Sequence, residues 1–137
     1  MDESIETWVT DSQAKYVRIP LHTPHAPMAR VVDIMKLQGL NVSSSDLTVN
    51  FTIEDSWCEW NTGSFTFESI GGKLIVRKEE SKNECIMNIL ALSSLVYCGT
   101  DPEDLSARGW ISNLTEEISK NLKEMFSPVF PFLVENF

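Results

Sequence analysis

The sequence predicts an α+β fold in which helices cover one face of an antiparallel β-sheet. One observation is the stretch from Leu47 to Val76, where three segments alternate apolar and polar residues with the two-residue period of strands that bury one face. The other is a set of helical patterns after this stretch, whose apolar stripes provide the cover that such a face requires. With 137 residues, 42% of them hydrophobic, the chain is long enough to bury this core as one domain.

The charge and the cysteines limit the classes of function. The formal net charge of −9 argues against a nucleic-acid or anionic-membrane partner, because both would be repelled. No run of apolar residues approaches the ~18 that a membrane span requires, and the acidic first residues lack a signal-peptide core. The three cysteines are odd in number and widely spaced, which is typical of free thiols in a reducing cytoplasm and forms no metal-binding pattern.

The sequence predicts little regular structure in the first part of the chain. Residues 1–14 are polar and indicate a linker or N-terminal arm, so that the domain itself spans residues 15–137. Residues 20–27, PLHTPHAP, contain three prolines and predict a loop. His22 and His25 lie in this loop, and because they are the only two histidines, the loop interpretation is favoured over a metal site.

A strand and a short helix are predicted to precede the alternating stretch. Residues from Met28 to Val32 are apolar and partly β-branched, which predicts a buried strand. Asp33 is then in position to cap a short helix, and Gly39 is in position to end it.

The alternating stretch predicts three consecutive antiparallel strands. Gly71 and Gly72 between the second and third segments provide the positive φ that a two-residue hairpin turn requires. The apolar residues of the three strands share one predicted face: Val49, Phe51, Ile53, Phe65, Phe67, Leu74 and Val76.

The loop DSWCEWNTG, residues 55–63, has two interpretations. Trp57 and Trp60 either fill the end of the sheet or form an aromatic platform for a ligand, and the first interpretation is favoured. Cys58 lies between them with no histidine or basic residue nearby in sequence, so a nucleophilic role is not predicted.

The second half of the chain predicts helices. Residues 85–99 fit either one helix or a short strand that leads into a helix. Asp101 and Pro102 are a helix cap and a first helical residue, and Gly109 ends that helix. Thr115 begins another helix, whose apolar stripe consists of Ile118, Leu122, Met125 and Phe126.

The tail, residues 127–137, is unusually apolar for a chain end. Burying a few of its large side chains is worth several kcal/mol at ~25 cal/mol per Å², so we expect it to pack on its own domain or on a partner. The chain has no Ser-His-Asp order, HExxH, dinucleotide glycine motif or zinc spacing. The residues alone therefore predict no catalysis by this chain, no bound cofactor and no metal.

Three segments in order resemble a known family. Residues 27–34, 51–68 and 92–111 are similar to the C-terminal sterol-carrier-like domain of Eis-type (enhanced intracellular survival) N-acetyltransferases, in which two GNAT domains precede this domain. The most specific pieces are W-N-x-G at residues 60–63 and L-x-A-x-G at residues 105–109.

The sequence departs from that family at two places. Residues 96–99 are V-Y-C-G, whereas the family often has Leu-Gly-Gly after this helix. Pro131 and Phe132 stand where many members have a tryptophan. Both departures concern the ligand-level inference rather than the fold.

The resemblance implies a fold detail and a function. It implies a short strand near Cys85 to Asn88 and a helix from Ile89. It implies that the preceding GNAT domains, and not this chain, bind acetyl-CoA and accept an amine substrate. It further implies that the C-terminal carboxylate of Phe137 reaches the acetyltransferase active site and helps to remove a proton from the amine. The alternatives are a free-standing lipid or sterol carrier, or a homo-oligomerisation module without catalysis.

Overall fold

The computed structural model describes residues 29–126 of the chain. The expectations for the arm at residues 1–14, the proline-rich loop at residues 20–27 and the tail at residues 127–137, including Phe137, lie outside the described residues and stay predictions.

Five strands form one sheet in the order β3-β2-β1-β4-β5. The strands are β1 (Leu47–Glu54), β2 (Gly63–Ile70), β3 (Lys73–Glu79), β4 (Ile86–Asn88) and β5 (Ile111–Ser112). All neighbouring strands are antiparallel except β1 and β4, which are parallel. The predicted α+β class is confirmed, and the predicted antiparallel sheet is corrected at this one pair.

Three α-helices and two short 3₁₀-helices complete the described part. The elements are α1 (Ile89–Cys98), α2 (Pro102–Ala107), α3 (Glu116–Met125), and 3₁₀-helices at Ile34–Leu37 and Glu59–Asn61. Between residues 29 and 126, none of the helices has the length and apolar content that crossing a membrane requires.

The predicted meander of β1, β2 and β3 is present, and its apolar face is the centre of the core. Phe51 and Phe67 contact each other edge to face, with ring centroids 4.7 Å apart, and Phe126 at the end of α3 contacts Phe67 in the same way at 6.3 Å. The first 3₁₀-helix adds Ile34 and Leu37 to this core. The predicted cover of the apolar face by helices is therefore confirmed.

The opposite face of the meander is also partly covered. Thr52, Ser64 and Thr66 point away from the phenylalanines and are nevertheless buried. The hydroxyls of Thr52 and Ser64 are hydrogen-bonded to each other at 2.8 Å, and the Thr52 hydroxyl also contacts the backbone of Asn83. Asn83 belongs to the connection between β3 and β4, which therefore supplies partners on the polar face.

Local signals begin and end the elements as the sequence predicts. The side chains of Asp33, Asp101 and Thr115 each accept a hydrogen bond from a backbone N–H in the first turn of the helix that follows. Gly71 and Gly72 have φ values of 58° and 77°, which fits a hairpin turn that only glycine-like residues adopt easily. The strand and helix implied for residues 85–99 are present as β4 and α1.

The strand predicted from Met28 to Val32 is wrong over its described residues. Residues 29–33 form no strand, because the backbone N–H of Val31 is bonded to the Ser93 hydroxyl at 3.0 Å instead of to a neighbouring strand. Val31 is buried, whereas Val32 is exposed. The apolar character of this segment therefore reflects one buried contact rather than a place in the sheet.

Phe67→Ala should lower the free energy of unfolding by about 3–5 kcal/mol, because Phe67 is fully buried between two other aromatic rings. Urea denaturation followed by circular dichroism measures the change. Ile70→Ala in the same strand is the control, since Ile70 is 51% exposed and its loss should cost less than about 1 kcal/mol. Equal losses from the two substitutions would contradict this account of the core.

Candidate functional site

The loop at residues 55–63 does not have the arrangement that the sequence predicts. Trp57 is 82% exposed and Trp60 is 60% exposed, so the prediction that the two tryptophans fill the end of the sheet is wrong. The buried residues of the loop are instead Asp55 and Asn61. The polar pair occupies the interior because its hydrogen bonds are satisfied there.

Asp55 lies at the end of β1 and is the centre of a hydrogen-bond network. Its side chain is fully buried. One carboxylate oxygen accepts from the guanidinium of Arg30 at 2.6 Å and from the backbone N–H groups of Trp57 and Cys58 at 3.0 and 3.1 Å. The other oxygen accepts from the side-chain amide of Asn61 at 3.0 Å. Four donors therefore surround one buried carboxylate.

Asn61 connects this loop to the segment before the first 3₁₀-helix. Its side-chain amide also donates to the carbonyl oxygen of Val32 at 2.9 Å, and its carbonyl oxygen accepts from the backbone N–H of Ile34 at 3.0 Å. The buried Asn61 side chain thus replaces the strand pairing that residues 29–34 lack.

The electrostatics hold Asp55 in its ionised form. Burial raises the pKa of this carboxyl, but the hydrogen bonds from Asn61, Arg30 and the backbone of Trp57 and Cys58 lower it. The net effect is a pKa below the usual aspartate value. A carboxylate that is committed to four donors is a structural anchor rather than a general base.

Two of the three cysteines have contrasting surroundings. The sequence shows no basic residue near Cys58, but the structure places the Arg30 guanidinium 3.7 Å from the Cys58 sulfur. Sequence reasoning missed this neighbour because Arg30 lies 28 residues earlier in the chain. Burial raises the pKa of the Cys85 thiol to about 11, which makes that thiol unreactive at neutral pH.

An aromatic surface lies outside the Asp55 network. Val32, Trp57 and Trp60, here called the tryptophan surface, are all more than half exposed. The indole N–H of Trp60 donates to the carbonyl oxygen of Val32 at 2.9 Å, and Lys78 donates to the carbonyl oxygen of Trp60 at 3.1 Å. These two bonds hold the Trp60 ring and backbone in place. The exposure of both indoles leaves the aromatic platform as the alternative interpretation.

A charged cleft of ≈ 490 Å³ lies between α2 and α3. The Lys123 ammonium is 3.1 Å from both Asp101 and Glu103, and the Ser119 hydroxyl donates to Glu103. The pKa of Asp101 is lowered, first by the hydrogen bond from the Glu103 backbone N–H and then by Lys123. These contacts connect two helices at the surface and indicate no catalytic pair.

The remaining predictions about site residues have the following outcomes. Over residues 29–126, no group of three or more His, Cys, Asp or Glu residues could hold a metal ion. Phe137, the predicted catalytic residue, lies outside the described part. Asp55 and Arg30 were not predicted, although an aspartate that directly follows a strand and precedes polar loop residues is a known sign of side-chain-to-backbone turns.

Comparison with protein families gives one match. The family model described as "Sterol carrier protein domain" matches residues 34–134. No curated protein is significantly similar in sequence to this chain.

Comparison with solved structures gives the same fold in several N-acetyltransferases. A GCN5-related N-acetyltransferase from Kribbella flavida has a TM-score of 0.70 at 16% identity, over 79% of this chain and 28% of that one. One from Anabaena variabilis has a TM-score of 0.64 at 23% identity, over 72% of this chain and 26% of that one. Eis1 from Mycobacterium abscessus has a TM-score of 0.61 at 19% identity, over 79% of this chain and 27% of that one. The chain therefore matches about a quarter of the length of each of these proteins.

Asp55→Asn should lower the free energy of unfolding at pH 7 by about 2–3 kcal/mol, because hydrogen bonds to a charged group contribute about 1.5–3 kcal/mol. Since the folded-state pKa of Asp55 is depressed, its stabilisation is present above about pH 4 and is lost as the pH falls through the folded-state value.

The measurement is urea denaturation of both proteins between pH 7 and pH 3. The difference between them should begin to shrink below about pH 4, where the unfolded chain binds a proton at Asp55 that the folded protein does not. Asp46→Asn, at an exposed carboxylate, is the control and should change stability by less than about 0.5 kcal/mol. A difference that stays constant over this pH range would contradict the ionised network.

Proposed function

We propose that this chain, which belongs to the sterol carrier protein domain family, acts as the accessory domain of an acetyl-CoA-dependent N-acetyltransferase. The observation that carries the proposal is the fold shared with solved N-acetyltransferases, of which the chain matches about a quarter. Domains with this fold occur in those proteins as one part of a larger enzyme, which fits a chain whose described residues present no catalytic centre of their own.

The division of chemistry between domains follows from the same premise. GNAT domains joined to this chain, in the same polypeptide or as partners, would bind acetyl-CoA and the amine acceptor, such as an aminoglycoside or a lysine-like amine.

The three unpaired cysteines, Cys58, Cys85 and Cys98, support a reducing compartment, and we place the protein in the cytoplasm on this ground.

The predicted catalytic contribution of this chain is the α-carboxylate of Phe137. An ammonium acceptor must lose a proton before its nitrogen attacks the thioester carbonyl, and a carboxylate within hydrogen-bond reach can accept that proton. The apolar sequence of the tail, FPFLVENF, supports the proposal because such a segment can anchor the chain end against an apolar surface.

A lipid carrier is the second candidate function, since it is what the family description itself suggests. In sterol carriers of this type an apolar ligand would lie between sheet and helices. In this chain Phe51, Phe65 and Phe67 fill that region and are at most 1% exposed. We therefore favour the accessory-domain function over lipid transport.

The complete natural protein should release CoA from acetyl-CoA in the presence of amine acceptors, whereas the 137-residue chain alone should not. Thiol-reactive dye detection of CoA measures both. Lysine and an aminoglycoside serve as acceptors, and reactions without acceptor are the background. Turnover by the 137-residue chain alone, or a complete protein that has no acetyl-CoA-dependent activity with any amine, would overturn the accessory-domain proposal.

Adding three residues after Phe137 in the complete protein should lower kcat by about 10²-fold or more, because general-base catalysis contributes about 10²–10⁴-fold. Phe137→Leu is the matched control, since it changes the side chain but leaves the carboxylate at the same position, and it should retain most of kcat. An extended protein with unchanged kcat would exclude the carboxylate role.

Native mass spectrometry of the purified 137-residue chain should show the mass of the polypeptide without a bound lipid, because the region between sheet and helices is filled by aromatic side chains. Added fatty acid or sterol should bind the unsubstituted chain no better than it binds a Phe67→Leu variant. A stoichiometric copurified lipid would instead favour the carrier function.

A further inference from the structure

The outer edge of β3 is closed over its first half by residues of the same domain. Leu74 accepts a backbone hydrogen bond from Gly39 at 2.8 Å and donates one to Leu40 at 2.9 Å. The backbone N–H of Val76 donates to the side-chain oxygen of Gln38 at 2.8 Å. Because backbone groups alternate in direction along a strand, the even-numbered residues of β3 direct theirs away from β2.

The second half of this edge lacks such partners. By the same alternation, the C=O of Val76 and both backbone groups of Lys78 are directed outward. Between residues 29 and 126, no residue supplies a hydrogen-bond partner for these three groups. The opposite edge strand, β5, has only two residues, whereas β3 has seven. An open edge of this kind can pair with a further strand.

The side chain of Lys78 does not guard this edge. A lysine on an edge strand commonly prevents strand pairing, because its charge is directed at the approaching chain. Here the Lys78 ammonium donates to the carbonyl oxygen of Trp60 at 3.1 Å and lies 5.5 Å from the centroid of the Phe65 ring. Its charge is therefore held against its own domain.

The charges along this half of the edge are self-complementary. Residues 77–80 are Arg, Lys, Glu and Glu, so their formal charges cancel, although the whole chain has a net charge of −9. In an antiparallel pair of two copies centred on Lys78, Arg77 of each copy lies opposite Glu79 of the other. Opposite charges in directly opposed positions stabilise an antiparallel pair. Arg77 is bonded to Glu68 at 2.8 Å and is still 58% exposed, so it can contact a second carboxylate.

We propose that two copies of this chain associate through this half-edge, with the two β3 strands antiparallel about a two-fold axis at Lys78. The Lys78 residues of the two copies exchange two backbone hydrogen bonds. The C=O of Val76 in each copy accepts from the N–H of Glu80 in the other. The sheets of the two copies then form one continuous sheet.

The chain that follows β3 is compatible with this arrangement. The strand ends at Glu79, and the next two residues form a bend. Each copy therefore leaves the shared edge before it reaches residues 38–40 of the other. The inference is independent of the accessory-domain function, since it concerns only the described residues of this chain.

The 137-residue chain should show a monomer–dimer equilibrium. Because the paired segment is short, we expect weak association, with a dissociation constant of about 0.1–1 mM. Analytical ultracentrifugation from about 20 µM to about 1 mM protein spans this range. The buffer contains about 0.15 M salt, which screens the repulsion between distant acidic groups of the two copies. A chain that stays monomeric up to about 1 mM would overturn the proposal.

Two charge-reversed variants test the register. Arg77→Glu alone and Glu79→Arg alone should each abolish association, because each places like charges opposite one another. An equimolar mixture of the two variants should associate again, since every arginine then lies opposite a glutamate. Lys120→Glu, at an exposed lysine of α3, is the matched control and should associate like the unsubstituted chain. Association that persists in both single variants, or a mixture that stays monomeric, would overturn the proposed pairing.

Amide exchange with water locates the interface without any variant, and therefore keeps the proposal testable if a variant does not fold. The Lys78 amide should exchange about two- to four-fold more slowly at about 1 mM than at about 20 µM protein, because the dimer buries it in a hydrogen bond. The Arg77 amide is the internal control, since its N–H is directed toward β2 at every concentration. Association without a change at the Lys78 amide would assign the contact to another surface and overturn the proposal.

Discussion

The buried carboxylate of Asp55 is the constraint on which the arrangement of this end of the domain depends. Removing an ion from water costs several kcal/mol unless donors replace the water. Here the donors come from Arg30, from the loop backbone and from Asn61. Because Asn61 in turn binds the backbone on both sides of Asp33, one charge positions two segments of the chain that share no strand pairing.

The sequence predicts well those elements whose determinants are local. The Gly71–Gly72 turn, the Asp101 cap and the Thr115 cap depend on residues within four positions of each other, and each is found as predicted. The loop at residues 55–63 was predicted wrongly, because its conformation depends on Arg30, 25 residues before Asp55. Nothing in the local pattern shows that the polar residues, and not the tryptophans, are the buried ones.

Two further features of the sheet exceed what periodicity can predict. The strand β4 has three residues, which is too short for an alternation to be recognised, and its parallel pairing with β1 depends on a connection across the sheet. The residue pattern offered a short strand here as one of two alternatives, and the resemblance to Eis-type enzymes implied it. Thr52 and Ser64 have the polar character expected of an exposed face, yet they are buried, since their hydroxyls bind each other and the backbone of Asn83.

The packing also determines where a function of this domain can lie. Phe51, Phe65 and Phe67 occupy the region between sheet and helices, and a ligand there would have to displace side chains whose burial stabilises the fold by several kcal/mol. Binding at the surface has no such cost, provided that the surface is already rigid. The bonds from Trp60 to Val32 and from Lys78 to Trp60 provide that rigidity at Trp60, so little entropy of this side chain remains to be lost when a partner packs there.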